Sequence, residues 1–555
     1  MCKKISSLGF ALLFSQLLTG QVSVTTYHND NLRTGLNASE TTLTPASVSG
    51  GNFGKLFSLS VTGQVYAQPL YLSNVTITTG ANAGVHNVVF IATEANYLYA
   101  FDADTGDSLW TVGPSLLGNP VNCNTIPGYG SYQDLYPQIG ITSTPVIATD
   151  INAIFVVAAS SPGVTGQAQR FKLHSIDIAT GHERVNSPME ITGSVPGTGD
   201  TAHSDSSDGT TLTFSPQQHH QRPALLLAGG LVYVTFGSHQ DLTPYHGWVF
   251  AYDHLSLKRF GIKCTTPDGG DGAIWQSGVG PLADSAGYVY AVTGNGDNNA
   301  GSSSLSSAYI SADRRNYGMS MMRLNPKAGL KTAGFYTPSD FIAESGYDGD
   351  LGSGGPMMIP GTNYILFATK NYDMFMVDTT ALPGVDYGYA YVHQRLYAGG
   401  PVFGPMSFFN NNIYVWPSNT VLTYFTYYPM AGYLGTTPTY QKVCTSSDCS
   451  TTTTATTTGF THSFRMSPPT SISANGTSDG IVWATASTNG QSLDDSSHGV
   501  LLAFDATTLV PLFSSDADSS NTASSWAKWV PPTIANGKVY VATFSGQVLV
   551  YGMKQ

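Results

Sequence analysis

Charge is what this chain has least of. Asp, Glu, Lys and Arg make up only 10% of it, and its net charge of −12 is not offset by any basic block. Phosphate backbones are bound by clustered Lys and Arg, so a nucleic acid partner is excluded. Long apolar runs are missing as well. After residue 20 no segment approaches the roughly 20 apolar residues needed to cross a bilayer, so no membrane span is expected. Cysteine is scarce, and no pair has zinc-site spacing or forms a Cys-x-x-Cys-His haem motif. No Gly-x-Ser-x-Gly elbow occurs, and His498 with Asp494 and Asp495 makes no recognisable hydrolase triad.

The start of the chain reads as a secretory signal over residues 1–20. Lys3 and Lys4 form a positive start, residues 8–18 a short apolar stretch, and Thr19 and Gly20 a small-residue end. No cysteine stands where a lipid anchor would need one, because position 21 is Gln21. The expected location is therefore secreted or periplasmic. In such an oxidising compartment the even set Cys123, Cys264, Cys444 and Cys449 suggests disulfides. The five-residue step from Cys444 to Cys449 suits a loop staple, whereas spacing leaves the pairing of Cys123 and Cys264 open.

Glycine, Ser and Thr are abundant, and they alternate with runs rich in Tyr and Phe, of which there are 31 and 25. Aromatic and β-branched runs between Gly-rich turns specify an all-β protein. The runs repeat. Units begin at Pro69, Pro145, Pro223, Pro281, Pro356, Pro405, Pro469 and Pro532, each proline leading a short strand. A period of about 60 residues with about four strands predicts an eight-bladed β-propeller of four-stranded antiparallel blades. Most units close on a turn residue, as at Asp102, Asp177, Asp253, Asp378 and Asp505. Such carboxylates are expected to accept turn N–H groups rather than to catalyse. Trp110, just after the first turn, is expected to pack on the next blade.

The last unit looks one strand short. The ring is therefore expected to be closed by an N-terminal strand, with residues 22–28 as the clasp. The organisation expected is a signal at 1–20, a lead-in and closing strand at 21–62, and the propeller at 63–555.

The run Ala100-Phe101-Asp102-Ala103-Asp104-Thr105-Gly106-Asp107-Ser108-Leu109-Trp110 matches the A-x-D-x-x-T-G-x-x-x-W docking motif of quinoprotein alcohol dehydrogenase-like propellers. The lead-in Tyr27-His28-Asn29-Asp30-Asn31-Leu32-Arg33-Thr34-Gly35 is similar to their N-terminal region. Together these segments make nearly the whole mature chain resemble that superfamily, and Tyr245-His246-Gly247-Trp248 with Asp350-Leu351-Gly352-Ser353-Gly354-Gly355-Pro356 resemble most closely its secreted bacterial propellers of undefined activity. Enzymes of the superfamily hold pyrroloquinoline quinone and calcium over the central funnel.

The resemblance implies particular positions. Thr293-Gly294-Asn295-Gly296-Asp297 resembles the strand end whose Asn ligates calcium, which maps the ion onto Asn295 with Asp297 beside it. Tyr347-Asp348-Gly349-Asp350 resembles the segment of the catalytic aspartate, which maps onto Asp348 or Asp350. Lys370 stands where a lysine approaches the quinone, and Trp275 is the nearest candidate for an aromatic floor. Read from its surroundings alone, Trp275 suits a blade-core aromatic, and Asn295 with Asp297 suits a hairpin turn. The family's adjacent cysteine pair is absent, and no calcium-ligating Glu can be placed. The histidines His219, His220, His239 and His246 cluster in one unit without metal-site spacing, and read as hydrogen-bonded loop residues.

Two functions follow as expectations. The first is a ligand- or protein-binding scaffold, with calcium at Asn295 and Asp297 its one possible cofactor, whose partner is a small molecule, a glycan or an extracellular protein. The second is a calcium- and pyrroloquinoline quinone-dependent alcohol or sugar dehydrogenase using Asp348.

Overall fold

The computed structural model describes residues 22–126, 128, 135–161, 169–200, 203–298, 315–382, 384–386, 392–444, 452–454, 466–487 and 497–554. The expected signal segment and Cys449, and with it the expected loop staple to Cys444, lie outside the described residues. Cys123 and Cys264 are both buried as thiols and are not joined to each other.

The strands form eight four-stranded antiparallel blades around one axis. Their inner strands are Leu70–Ile77, Val146–Ala148, Leu226–Ala228, Leu282–Ala283, Pro356–Met358, Ser407–Phe409, Thr470–Asn475 and Thr533–Ala535. Each begins at, or just after, one of the blade-leading prolines. Proline is tolerated there because a strand's first N–H need not join the ladder. Blades 4 and 7 carry extra short strands laid parallel, Gly384–Asp386 on Lys331–Pro338 and Leu36–Asn37 on the inner strand of blade 7.

The turn aspartates act as the sequence suggests. Asp102 Oδ1 accepts N–H groups from Asp104 at 2.7 Å and Thr105 at 2.8 Å, and Gly106 follows with φ +83°. Asp253 and Asp505 accept turn N–H groups in the same way. Trp110 docks on blade 2, where its Nε1–H donates to Ile178 O at 2.8 Å. Its ring lies against Gly181, where a Cβ would come within 3.0 Å of it. Hydrophobic burial between blades thus takes its register from the turns.

The ring closes through an N-terminal strand, but not through residues 22–28. The fourth strand of blade 8 is Phe53–Ser60, antiparallel to Gln547–Met553 with Phe53 opposite Met553. Residues 22–28 cannot fill that place, because the chain curls at His28 and Asn29, with φ 58° and 71°.

Instead the lead-in winds around the inner strands, bonding to the blades in chain order. Val24 pairs with Tyr71 of blade 1, and Thr25 O accepts from Ile147 N of blade 2 at 2.8 Å. Asn31 Nδ2 donates to Leu227 O of blade 3 at 2.8 Å, and Asn31 O accepts from Ala283 N of blade 4 at 3.0 Å. Leu32 O, Thr34 O and Gly35 O take the N–H groups of Met358, Phe408 and Ile472 in blades 5, 6 and 7. Asn37 Nδ2 reaches Ile534 O of blade 8 at 3.0 Å.

At the centre of this coil Arg33 is fully buried. Its guanidinium donates to the carbonyls of Pro281, Leu225 and Tyr27 and to Thr26 Oγ1. Gly35 is required where it stands, since its φ is +67° and a Cβ would strike the His28 ring. The lead-in therefore floors the channel, and Tyr27 packs on Ala224 and Val279 just beneath the loops that enter blades 3 and 4.

Candidate functional site at the funnel mouth

The loops that enter the inner strands gather at the mouth above this floor. Asn295 follows the blade 4 strand Val289–Val292, Asp348 and Asp350 follow the short helix Phe341–Gly346, and Lys370 follows the blade 5 strand Tyr364–Ala368. These segments are far apart in sequence, and the fold brings the four side chains together. Asn295 Nδ2 donates to Asp348 Oδ1 at 2.7 Å, and its backbone N–H donates to Asp350 Oδ1 at 2.8 Å. Asn295 Oδ1 accepts the backbone N–H of Asp350 at 3.1 Å. Lys370 Nζ lies 2.8 Å from Asp348 Oδ1 and 2.6 Å from Asp350 Oδ2.

The two aspartates differ in setting. The Asp350 side chain is 9% exposed and that of Asp348 66%. Both have left-handed backbones, with φ 61° at Asp348 and 25° at Asp350. Strain of this kind persists only where the surroundings over-determine it, as the Asn295 and Lys370 bonds do here. Burial alone would lower the Lys370 pKa, but the two carboxylates, led by Asp350, outweigh it and push it up. The ammonium is therefore charged at neutral pH.

Asp297 does not join this group. Its Oδ2 accepts the Gly270 N–H at 2.9 Å and pins the neighbouring loop. Trp275 departs from its reading as a blade-core aromatic. It is half-buried at the mouth, outside the apolar core of its blade, because the loop entering blade 4 carries it over the channel. Tyr245 meets it edge-on at 6.3 Å. A Cβ at Gly294 would collide with both Asp350 Oδ1 and the Trp275 ring, so glycine allows the carboxylate and the indole to adjoin.

Sequence reasoning missed the cationic side of the mouth. Arg222 lies 5.9 Å from the Trp275 ring centre and 3.6 Å from that of Trp529, and Lys528 lies 4.4 Å from the latter. Such stacking holds a cation over an indole face. The signal was positional: Arg222, Trp275, Asp350 and Trp529 each sit a few residues upstream of a blade-leading proline, where the chain crosses the mouth.

The histidines form two stacked pairs, His219 on His246 at 6.4 Å and His220 on His239 at 5.4 Å. His219 donates from Nδ1 to Ser215 O at 2.7 Å and accepts the His246 N–H on Nε2 at 3.1 Å, the pattern of a neutral ring. Burial drives its pKa down to about 3. His246 Nε2 lies 2.7 Å from Asp205 Oδ2. Among the described residues no group of three His, Cys, Asp or Glu is placed to hold a metal ion.

No family profile and no curated protein matches the chain. Solved structures do. A europium-containing methanol dehydrogenase superposes with a TM-score of 0.57 at 12% identity, over 96% of this chain and 98% of that one. A quinohemoprotein alcohol dehydrogenase from Pseudomonas putida HK5 gives 0.56 at 14% identity, over 96% and 80%. The quinohemoprotein alcohol dehydrogenase of Comamonas testosteroni gives 0.55 at 15% identity, over 96% and 80%. At such identities the likeness speaks for the fold alone, an eight-bladed β-propeller shared with those dehydrogenases.

Proposed function

We propose that the funnel mouth binds a planar, anionic quinone of the pyrroloquinoline quinone class and that the protein is a quinone-dependent dehydrogenase of small alcohols or sugars. The observation that carries this reading is the convergence of Asn295, Asp348, Asp350 and Lys370 beside the half-buried face of Trp275. The donor set suits the organic group. Trp275 offers a flat floor, and Arg222 and Lys528 bring two cations against the indoles of the mouth in a chain poor in charge.

The same donor set does not suit calcium. Asn295 Oδ1 is already taken by the Asp350 N–H, and the two carboxylates share the Lys370 ammonium. Oxygen ligands for a divalent cation would have to be released from both.

A bound quinone would supply the hydride acceptor. The chain's own residues would do the rest. Asp348, the more exposed carboxylate, is placed to take the proton of a substrate hydroxyl, and Lys370 Nζ orients it from 2.8 Å. Asp350 and Asn295 hold that carboxylate and the ammonium in register, so they are positioning residues. Lys370 would also stabilise negative charge developing on the acceptor.

The test is titration of the protein with pyrroloquinoline quinone, with and without calcium, followed by indole fluorescence and then by dye reduction over an alcohol and sugar panel. Saturable quenching that Trp275→Leu removes, with turnover that Asp348→Asn removes while quenching survives, is the expected result. Absence of saturable quenching would sink the reading. Saturable binding without turnover on any substrate would instead favour a scaffold that captures a planar anion. One observation speaks for that second reading: both carboxylates are already engaged by Lys370.

A further inference from the structure

Away from the funnel, a cleft of about 600 Å³ opens where the outer strand of blade 5, Gln394–Tyr397, faces blade 6. It lies within the size range of small-molecule sites. Tyr397 stands on one wall with 67% of its surface exposed, and Tyr440 on the other with 42% exposed. Tyr440 is held in place as the cross-strand partner of Thr423, which also lines the cleft. Tyr397 is backed by Tyr372, whose ring is parallel to it within 3° at 5.9 Å. The backbone secures this pair, since Ala398 N–H donates to Tyr372 O at 2.6 Å. The result is a two-ring plate, with Tyr440 a third exposed ring on the same cleft. Large aromatic faces left exposed on a stable scaffold mark binding surfaces, because tyrosine offers area at little entropic cost.

The chemistry of the lining narrows the ligand. Arg395 is the one charged side chain on it, and Asp340 and Asp373 neutralise that charge: Nη1 lies 2.8 Å from Asp340 Oδ2, and Nη2 bonds Asp373 Oδ2. The guanidinium is thus tied to two carboxylates, a cluster of net negative charge that disfavours an anionic ligand. The lining also carries Thr420, Thr436 and the Gly399 backbone, which are hydroxyl and amide groups. Flat apolar faces edged with neutral hydroxyls complement one class of ligand closely, a pyranose ring with its CH face on tyrosine and its hydroxyls at the rim.

We propose that the cleft between blades 5 and 6 is a binding site for a neutral glycan, separate from the funnel mouth. This does not depend on the quinone reading, and either can fail alone.

The test is isothermal titration of the full protein with the neutral hexaoses of cellulose, starch, laminarin, xylan and mannan, at low and high salt. At least one is expected to bind saturably with an affinity that salt does not change, since no ion pair is involved. Tyr397→Ala is expected to weaken it roughly tenfold, while Tyr428→Ala, an exposed ring outside the cleft, leaves it unchanged. Lys370→Met is expected to leave it unchanged too, which separates this site from the funnel. Thermal melts of the variants establish that they are folded. Failure of all five sugars to bind, equal loss in Tyr397→Ala and Tyr428→Ala, or binding at Tyr397 of a proline-rich decapeptide in their place would each overturn the proposal.

Discussion

Lys370 Nζ lies 2.6 Å from Asp350 Oδ2, and that carboxylate is almost wholly buried. The ammonium serves Asp348 as well, so a single cation is shared by two anions on one loop. Lys370→Met should therefore leave Asp350 as an uncompensated charge in a poorly solvated place. Breaking a fully buried pair costs several kcal/mol, and the partial exposure of Lys370 reduces this to about 2 kcal/mol. Its contribution persists through neutral pH. The folded-state pKa is raised, so stability from this group is complete below the ordinary lysine range and fades only as pH climbs beyond it. Thermal melting of Lys370→Met and of Lys370→Met with Asp350→Asn checks this, and the second change should recover part of the loss. Simple additivity of the two would mean the pair is not coupled.

Ring closure predicts a second effect. Phe53 opens the closing strand and is 2% exposed. Its ring meets Phe513 edge-on at 4.9 Å and Trp483 at 5.3 Å, both in blade 7, so it links the seam to the neighbouring blade. Phe53→Ala should cost about 3–4 kcal/mol by lost burial plus cavity, and Phe53→Leu clearly less. Val85→Ala, at an edge position that is 65% exposed, should change denaturant midpoints hardly at all.

The seam also shows what a sequence can and cannot disclose. Blade number and inner-strand starts were readable because the leading proline repeats in every unit and the turn carboxylate in most, and local chemistry sets each of them. Which N-terminal segment closes the ring was not readable. Residues 22–28 have strand-forming composition, yet the contacts that curl them come from residues hundreds of positions away, such as Thr470 O on His28 Nε2. The site shows the same division. Asn295, Asp348, Asp350 and Lys370 were recognisable from short motifs, but Arg222 and Lys528 were not. The placement of Arg222 over Trp529 depends on how the segments entering blades 3 and 8 meet at the mouth, and that meeting also brings Lys528 beside Arg222.

Arg33 is the strongest candidate for a residue that organises the whole ring. A planar fork with five N–H donors can reach Pro281 O, Leu225 O and Tyr27 O together, whereas an ammonium cannot span them. Arg33→Lys is expected to cost about 3–5 kcal/mol, since two or three charge-assisted bonds are lost at a site closed to water. Amide exchange should locate the damage. The N–H groups of Ala283 and Met358, which bond the lead-in, should exchange faster, while those of the outer strands change little. Uniform acceleration across every blade would argue instead for global destabilisation.

Glu94 gives the pH dependence its sign. The side chain is buried between blades, with Oε2 accepting the Gly140 N–H at 2.7 Å and the Thr142 hydroxyl at 3.1 Å. Among the described residues no cation offsets its charge, and burial, which outweighs those two bonds, pushes its pKa from 4.5 up to about 7. Below the ordinary carboxyl range the native and unfolded chains are both protonated, so the group imposes no penalty. Between about pH 4.5 and 7 the unfolded chain releases the proton while the native one keeps it, and stability falls as pH rises. Above about pH 7 both are ionised and the penalty levels off at about 3 kcal/mol. Glu94→Gln preserves an acceptor for Gly140 and Thr142 but cannot ionise. The variant should therefore gain on the wild type steadily from pH 4.5 to 7 and hold that gain at pH 8, as read from denaturant midpoints across the range. Parallel stability curves for the two proteins would show that Glu94 titrates as a solvent-exposed carboxyl and that its burial carries no electrostatic cost.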